Sequence, residues 1–290
     1  MLTIVHPGAK RVILRTAPAP QAVVSWNTRA PSGTIEITVY RSDGQVSSWL
    51  PYVSFSPSDR RSLDGRDDVA RIETDIIRAP SDIVAIEVRA DVSLDAVAVS
   101  TPRHAPIAPP PPSPAPLAVP TRSQYLPEYP DEKGWCSPAA LAMLLAFWGI
   151  DLGVAEVAAR VRDQTYGGTG NWAFNTALAG ALGLRGTVAH LRDLAHAAHF
   201  IEAGIPVALS FAWKIAELPG APVERSDGHI AVLCGFSERR DPIVNDPAQP
   251  GVATTYNQAA FERAWRTHGA VAYLIAPEGR SDELVQLANR

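Results

Sequence analysis

Gly134-Trp135-Cys136-Ser137-Pro138 leads directly into Ala139-Ala140-Leu141-Ala142-Met143-Leu144-Leu145-Ala146-Phe147-Trp148, a run without a polar side chain. A helix over this run has no face to show to water, so it belongs inside a domain, and it is too short to cross a bilayer. Ser137 is placed to cap it, Pro138 suits its first position, and Gly149 can end it. Cys136 then stands at the mouth of a buried helix. The unpaired backbone N–H groups there carry partial positive charge, which favours a thiolate and lowers the thiol pKa. Cys136 therefore reads as a nucleophile.

The chain has 290 residues, 46% of them hydrophobic and 19% charged. That is enough to bury one or two cores, with two domains the natural expectation. A formal net charge of −4 gives no basic surface for nucleic acid or an anionic membrane. Two cysteines are too few for a disulfide framework. The first ten residues lack the apolar core of a signal peptide, so the chain as written is expected in the cytoplasm, or exported if its start is misassigned. No membrane span and no cofactor are expected.

Residues 1–100 read as strands. Thr34–Arg41, Arg71–Ile76 and Val84–Arg89 alternate apolar and polar side chains, and Pro31-Ser32-Gly33, Ser42-Asp43-Gly44 and Asp64-Gly65 supply turns, the pattern of an antiparallel β-sandwich. Trp26, Trp49, Tyr52 and Phe55 lie in or beside these strands. Core packing is the commoner use of such rings; a glycan-stacking platform is the functional alternative. Residues 101–120 hold nine prolines, which fix φ and keep the preceding residues out of helix, so this segment is expected to be a stiff linker.

The second half mixes helices and then strands, an α+β order. Val154–Val161 has helical spacing, Asn171 can cap a helix through Leu182, and Leu191–Glu202 fits another, before strands at Pro206–Phe211, His229–Phe236, Pro242–Asp246 and Ala270–Ile275 with a helix at 258–266 before the last.

A nucleophilic cysteine needs a base and a group that orients the base. His229 opens one apolar strand and Asp246 closes the next, and the short polar connection Ser237–Asp241 makes the two a hairpin. With two loop residues Asp246 falls opposite His229, and with four opposite Ala231. Either register puts Asp246 on the face of His229 and turns Asn245 away, unless a bulge reverses the parity. Cys234, an odd number of residues from His229, falls on the other face and reads as core.

The combination of Gln124–Pro130, Gly134-Trp135-Cys136-Ser137-Pro138, Gly228-His229 and Asn245-Asp246-Pro247 resembles the papain-like cysteine peptidases of the bacteriocin-leader-processing kind, peptidase family C thirty-nine and its free-standing relatives. The resemblance covers residues 121–276. It implies a papain-like domain at 121–278 behind a β-sandwich accessory domain at 1–100, with a C-terminal tail at 279–290. It also implies Cys136 as nucleophile, His229 as base, Asp246 as orienting acid and Gln124 as an oxyanion donor. A loop must fold back to bring Gln124 to Cys136 across twelve residues. The expected partner is a peptide or protein substrate, with a glycan at the N-terminal domain as a further one. An amidase or acyltransferase would use the same residues, since each passes through a thioester, and a non-catalytic polysaccharide-binding protein is the reading of another class.

Two weaker patterns favour structural readings. His190, His196 and His199 lack a carboxylate or thiol to complete a metal set, and Gly167–Gly170 lacks the lysine of a phosphate loop. Asn171, Trp172 and Asn175 are left as candidate cleft residues.

Overall fold

The computed structural model describes the chain except residues 1, 6, 7, 9, 103–106, 113 and 114. Among the described residues the first hundred form strands β1 (Leu2–Val5), β2 (Arg11–Asn27), β3 (Gly33–Arg41), β4 (Leu50–Phe55), β5 (Arg60–Ser62), β6 (Arg71–Glu73), β7 (Ile76–Ala90) and β8 (Ala96–Ser100). There follow α1 (Cys136–Phe147), α2 (Val154–Val161), α3 (Trp172–Ala181), β9 (Leu184–His190), α4 (Leu194–Glu202) and β10 (Val207–Trp213). The chain continues through β11 (Ser226–Phe236), β12 (Pro242–Asn245), β13 (Ala253–Thr255), α5 (Gln258–Thr267), β14 (Val271–Pro277) and α6 (Ser281–Ala288). The architecture is mixed α/β with two antiparallel sheets. No helix of the described residues is long and apolar enough to cross a membrane.

The chain divides into two compact units that are not contiguous segments: Met1–Pro102, Ala159–Ala189 and Pro277–Asn289 in one, Arg103–Ala158 and His190–Ala276 in the other. In the first, the strands pair in the order β1-β8-β2-β7-β3-β4-β5, with β6 on β7. A flat sheet would hold β2 and β4 three spacings apart, about 14 Å. Yet the Tyr52 hydroxyl of β4 donates to the Val24 carbonyl of β2 at 2.7 Å, so the sheet curls back over its own core. Trp26 and Tyr52 lie in that core, 2% and 0% exposed, and Phe174 of α3 packs edge-on to Trp26. The rings of Trp26 and Tyr52 are therefore packing groups. Trp49 is covered by the guanidinium groups of Arg11 and Arg89. No four-ring glycan platform exists.

Several local expectations need correction. Arg71–Ile76 is not one strand: the chain reverses at Thr74, with φ +61°, and Glu73 pairs with Ile76 in a β6–β7 hairpin. The strand at Leu184–His190 carries no alternating signal, because all seven of its residues are buried. The expected tail holds a helix, α6, and Asn289 exchanges hydrogen bonds with the backbone of Leu2. Of the proline-rich segment, residues 103–106 and 113–114 lie outside the described residues. Its described end lies along β11, where Leu117 N–H donates to the Cys234 carbonyl and the Val119 carbonyl accepts from Asn245.

In the second unit the strands run in the order β13-β12-β11-β10-β14, and α1 packs against β10 and β11. Residues Ser137 to Leu145 are all buried, as a helix without a polar face requires. The helix starts one residue earlier than Ser137 capping would allow. Trp135 is the N-cap without a side-chain bond, Cys136 is the first helical residue, and Ser137 instead shares a 2.8 Å hydrogen bond with the Tyr273 hydroxyl. At the other end Gly149 sits at φ +85°, and the N–H groups of Gly149 and Ile150 close onto the carbonyls of Ala146 and Leu145. That left-handed glycine closure stops the helix where the sequence puts it.

Candidate active site

α1, β11 and the end of β12 bring Cys136, His229 and Asp246 together. The Cys136 thiol hydrogen-bonds the His229 ring, and its sulfur also accepts from the backbone N–H groups of Ile230 and Ser137. The His229 Nε2 meets Asp246 Oδ1 at 2.7 Å, which leaves Nδ1 for the sulfur. Cys136 is half-buried, whereas His229 is 6% exposed and Asp246 fully buried. Of the three residues, only Cys136 is not fully buried.

Charge follows from this packing. Burial opposes the thiolate, but the hydrogen bond and charge of His229, with the two N–H groups, outweigh it and lower the Cys136 pKa. Burial likewise opposes the imidazolium, and Asp246 and Cys136 outweigh it and raise His229. Burial would raise Asp246; the bonds from His229, Tyr256 and Ala248 hold it below its ordinary value. All three shifts favour a thiolate beside an imidazolium.

The register behind this geometry differs from either simple hairpin. Phe236 pairs with Pro242, leaving five loop residues, an odd count that by itself would set Asp246 opposite Val232 and on the wrong face. A bulge between Leu233 and Gly235 leaves Cys234 unpaired and shifts the pairing by one, so that Val232 meets Asn245 and Asp246 follows opposite Ala231. The bulge restores the parity that the loop breaks. Cys234 itself is 3% exposed, and burial pushes its thiol up to about 12. Its sulfur contacts the Val232 carbonyl at 3.4 Å.

Gln124 is 4% exposed; its N–H donates to the Pro247 carbonyl at 2.9 Å, and its Nε2 to the Lys133 carbonyl at 2.8 Å. The intervening loop thus folds back, and Gln124 is tied both to the residue after Asp246 and to the approach to Cys136. Asn171 caps Phe174 N–H at 3.1 Å and belongs with Trp172 and Asn175 to the other unit. Among the described residues no group of three His, Cys, Asp or Glu could hold a metal ion.

Sequence reasoning missed Tyr256, Phe211 and Trp213. The Tyr256 hydroxyl donates to Asp246 Oδ2 at 2.7 Å and accepts from Gln249 Nε2 at 3.0 Å. Phe211 and Trp213 stand edge-on to the His229 ring, at 5.3 and 5.7 Å between centroids. Two aromatic residues at alternate positions in the strand before the histidine strand were the available signal; for Tyr256 there was none.

A protein-family model for the Peptidase_C39 like family matches residues 116–273, more than half of the chain and all of this constellation. The chain belongs to the Peptidase_C39 like family. Among solved structures this family member is similar to one assigned as a C39-like peptidase from Bacillus anthracis. Identity is 17% over 56% of this chain and 96% of that one, with a TM-score of 0.44. It is also similar to a double glycine motif protease from an AMS/PCAT transporter, solved with its leader peptide, at 19% identity over 58% of this chain and 97% of that one, with a TM-score of 0.38. None of the curated proteins compared with this Peptidase_C39 like chain matches it.

Proposed function

We propose that the chain is a cysteine peptidase that cuts peptide bonds through Cys136, His229 and Asp246. The observation that carries this reading is the continuous array from the Cys136 thiol, on a half-buried residue, through His229 to a buried carboxylate 2.7 Å from the ring. The Cys136 thiolate attacks the scissile carbonyl carbon. The backbone N–H of Cys136, at the first position of α1 with no acceptor inside the helix, and the Gln124 amide stabilise the oxyanion. One Nε2 hydrogen of Gln124 is held by the Lys133 carbonyl, which orients the amide and leaves the second hydrogen to donate. His229 then gives its proton to the leaving amine as the C–N bond breaks, leaving a thioester on Cys136. Water, deprotonated by His229, attacks that thioester and releases the acid. Asp246 keeps Nε2 protonated and the ring aimed at the sulfur.

The catalytic residues all belong to the region after the proline-rich segment, so residues 121–278 are assigned the chemistry. Residues 1–100 are read as the accessory β-sandwich, a reading supported by the Tyr52–Val24 closure of the sheet over itself.

A thiol-directed peptidase probe, mapped by mass spectrometry, is expected to label Cys136 in the wild type and in Cys234→Ala and to leave Cys136→Ala unlabelled. Labelling that follows Cys234 instead would sink the proposal. Product analysis with peptide alone and with added amines separates hydrolysis from acyl transfer.

A further inference from the structure

The proline-rich segment reads as a spacer in the sequence, but its end and the residues that follow, 116–124, are bonded into the second unit at two places. The first is the bulge of β11. Leu117 N–H donates at 2.8 Å to the carbonyl of Cys234, the residue that the bulge leaves unpaired with β12. Pro116 lies so close to Gly235 that a Cβ there would stand 2.9 Å from the Pro116 Cα. A glycine at 235 is what lets the segment reach the bulge.

The second place is the pair of residues on either side of Asp246. Asn245, 5% exposed, donates from Nδ2 to the Val119 carbonyl at 3.0 Å, and the Pro247 carbonyl accepts from Gln124 N–H at 2.9 Å. Successive side chains of an extended chain leave on opposite sides, so Asn245 reaches the segment while Asp246 reaches His229. The bonds that Asp246 accepts fix the direction of its carboxylate; the bonds at 245 and 247 fix where its backbone stands. A carboxylate 2.7 Å from a ring nitrogen loses that hydrogen bond if it moves by about 1 Å. Proline also limits the conformational freedom that the segment gives up on docking.

We propose that residues 116–124 are a clamp that positions Asp246 against His229, with Asn245 as the positioning residue on the strand side. The clamp rests on the reading of Cys136, His229 and Asp246 as one catalytic array and adds to it the piece of chain that sets the acid. The same piece ends at Gln124, so one segment places both the orienting acid and, in the proposed mechanism, the oxyanion donor.

The test is the pH dependence of Cys136 alkylation by iodoacetamide in the full chain, read by mass spectrometry of the Cys136 peptide. The charges that act on the His229 ring are those of Asp246 and Cys136. If Asp246 drifts from the ring, the imidazolium loses its partner, and the thiolate that it stabilises forms only at higher pH. Wild-type alkylation is expected to rise well below the ordinary thiol pKa of about 8.5. Asn245→Ala removes the bond to Val119, and Leu117→Pro removes the N–H that holds Cys234 without touching a residue of the array. In both, the rate at pH 6 is expected to fall about two- to tenfold, the worth of one hydrogen bond, while the rate at pH 10, where the thiol is ionised in every variant, stays that of the wild type. Thermal melts establish that the variants are folded, and Leu117→Pro, at a half-buried position outside the strands, decides the test if Asn245→Ala does not fold. An acid-shifted wild-type profile that the folded variants leave in place overturns the clamp and leaves the array standing. A fall that is equal at pH 6 and pH 10 marks a merely structural role and overturns the clamp as well. A wild type that alkylates only in the ordinary thiol range overturns the array, and the clamp with it.

Discussion

Asp246 accepts from three directions: the His229 ring, the Ala248 N–H at 2.9 Å and the Tyr256 hydroxyl at 2.7 Å. A buried carboxylate with this many donors stays ionised and keeps one orientation. In the proposed mechanism Tyr256 acts through Asp246, as a positioning residue. Tyr256→Phe keeps the ring stacked on Phe261 and removes only the donor. A hydrogen bond to a charged group is worth about 1.5–3 kcal/mol, so kcat/KM should fall about 10- to 100-fold at most, mainly in kcat. The sign of the pH effect is fixed as well. A carboxylate that loses a donor has a higher pKa, so the acid limb of the pH–rate profile moves to higher pH. An unchanged limb and an unchanged kcat would remove Tyr256 from the machinery. That Cys136, His229 and Asp246 meet was legible because each sits at the edge of a regular element. Tyr256 was not, since its approach depends on the turn at 247–252, where Asp246 N–H closes onto the Val252 carbonyl.

Elements were legible where their signals are local. Asn171 caps α3 as its side-chain chemistry dictates, and Gly149 ends α1. The bulge at Cys234 was not legible, because it compensates a loop length that only the folded hairpin reveals. Nor was the second anchor of α3. Asp75, in the turn of the β6–β7 hairpin, accepts from the first N–H groups of that helix, those of Trp172 and Ala173. Burial pushes its carboxyl up to about 7, the backbone donors oppose this, and the charge of Asp163 adds to it. Its folded pKa lies above the unfolded value of 3.8, so its stabilising contribution is complete below that value and is lost as pH rises through about 7. A shift of about three units corresponds to roughly 4 kcal/mol at most. Asp75→Asn keeps an acceptor for the N–H groups and removes the titration. Thermal melts of wild type and variant at pH 5 and pH 8 should therefore show the variant gaining stability at the higher pH. Equal pH dependence in the two proteins would rule the linkage out.

At the scale of the molecule, the contiguous division drawn from composition and the compact units drawn from contacts make different predictions. Composition changes sharply at the proline-rich segment, and a chain read in order has no means of signalling that residues 159–189 and 277–289 return to the first unit. The packing shows why they do. Ala173 and Phe174 of α3 belong to the same apolar cluster as Leu14, Val24 and Trp26, and Asn27 bonds the Gly186 carbonyl at 2.9 Å. Ser25 and Thr187 share a buried hydrogen bond at 3.0 Å. Gly186 is required there because a Cβ would stand 2.3 Å from the Thr176 carbonyl oxygen. A chain beginning at residue 103 would expose Phe174, at a cost of about 1.5–3 kcal/mol for that side chain alone, and would strip Thr187 and Gly186 of their partners. Such a chain is expected to bind a hydrophobic dye, to aggregate on size-exclusion chromatography and to melt well below the full protein. If it instead runs as a monomer, melts cooperatively and is labelled at Cys136 at the wild-type rate, then residues 121–278 form a self-sufficient domain and the compact units do not set the limits of folding.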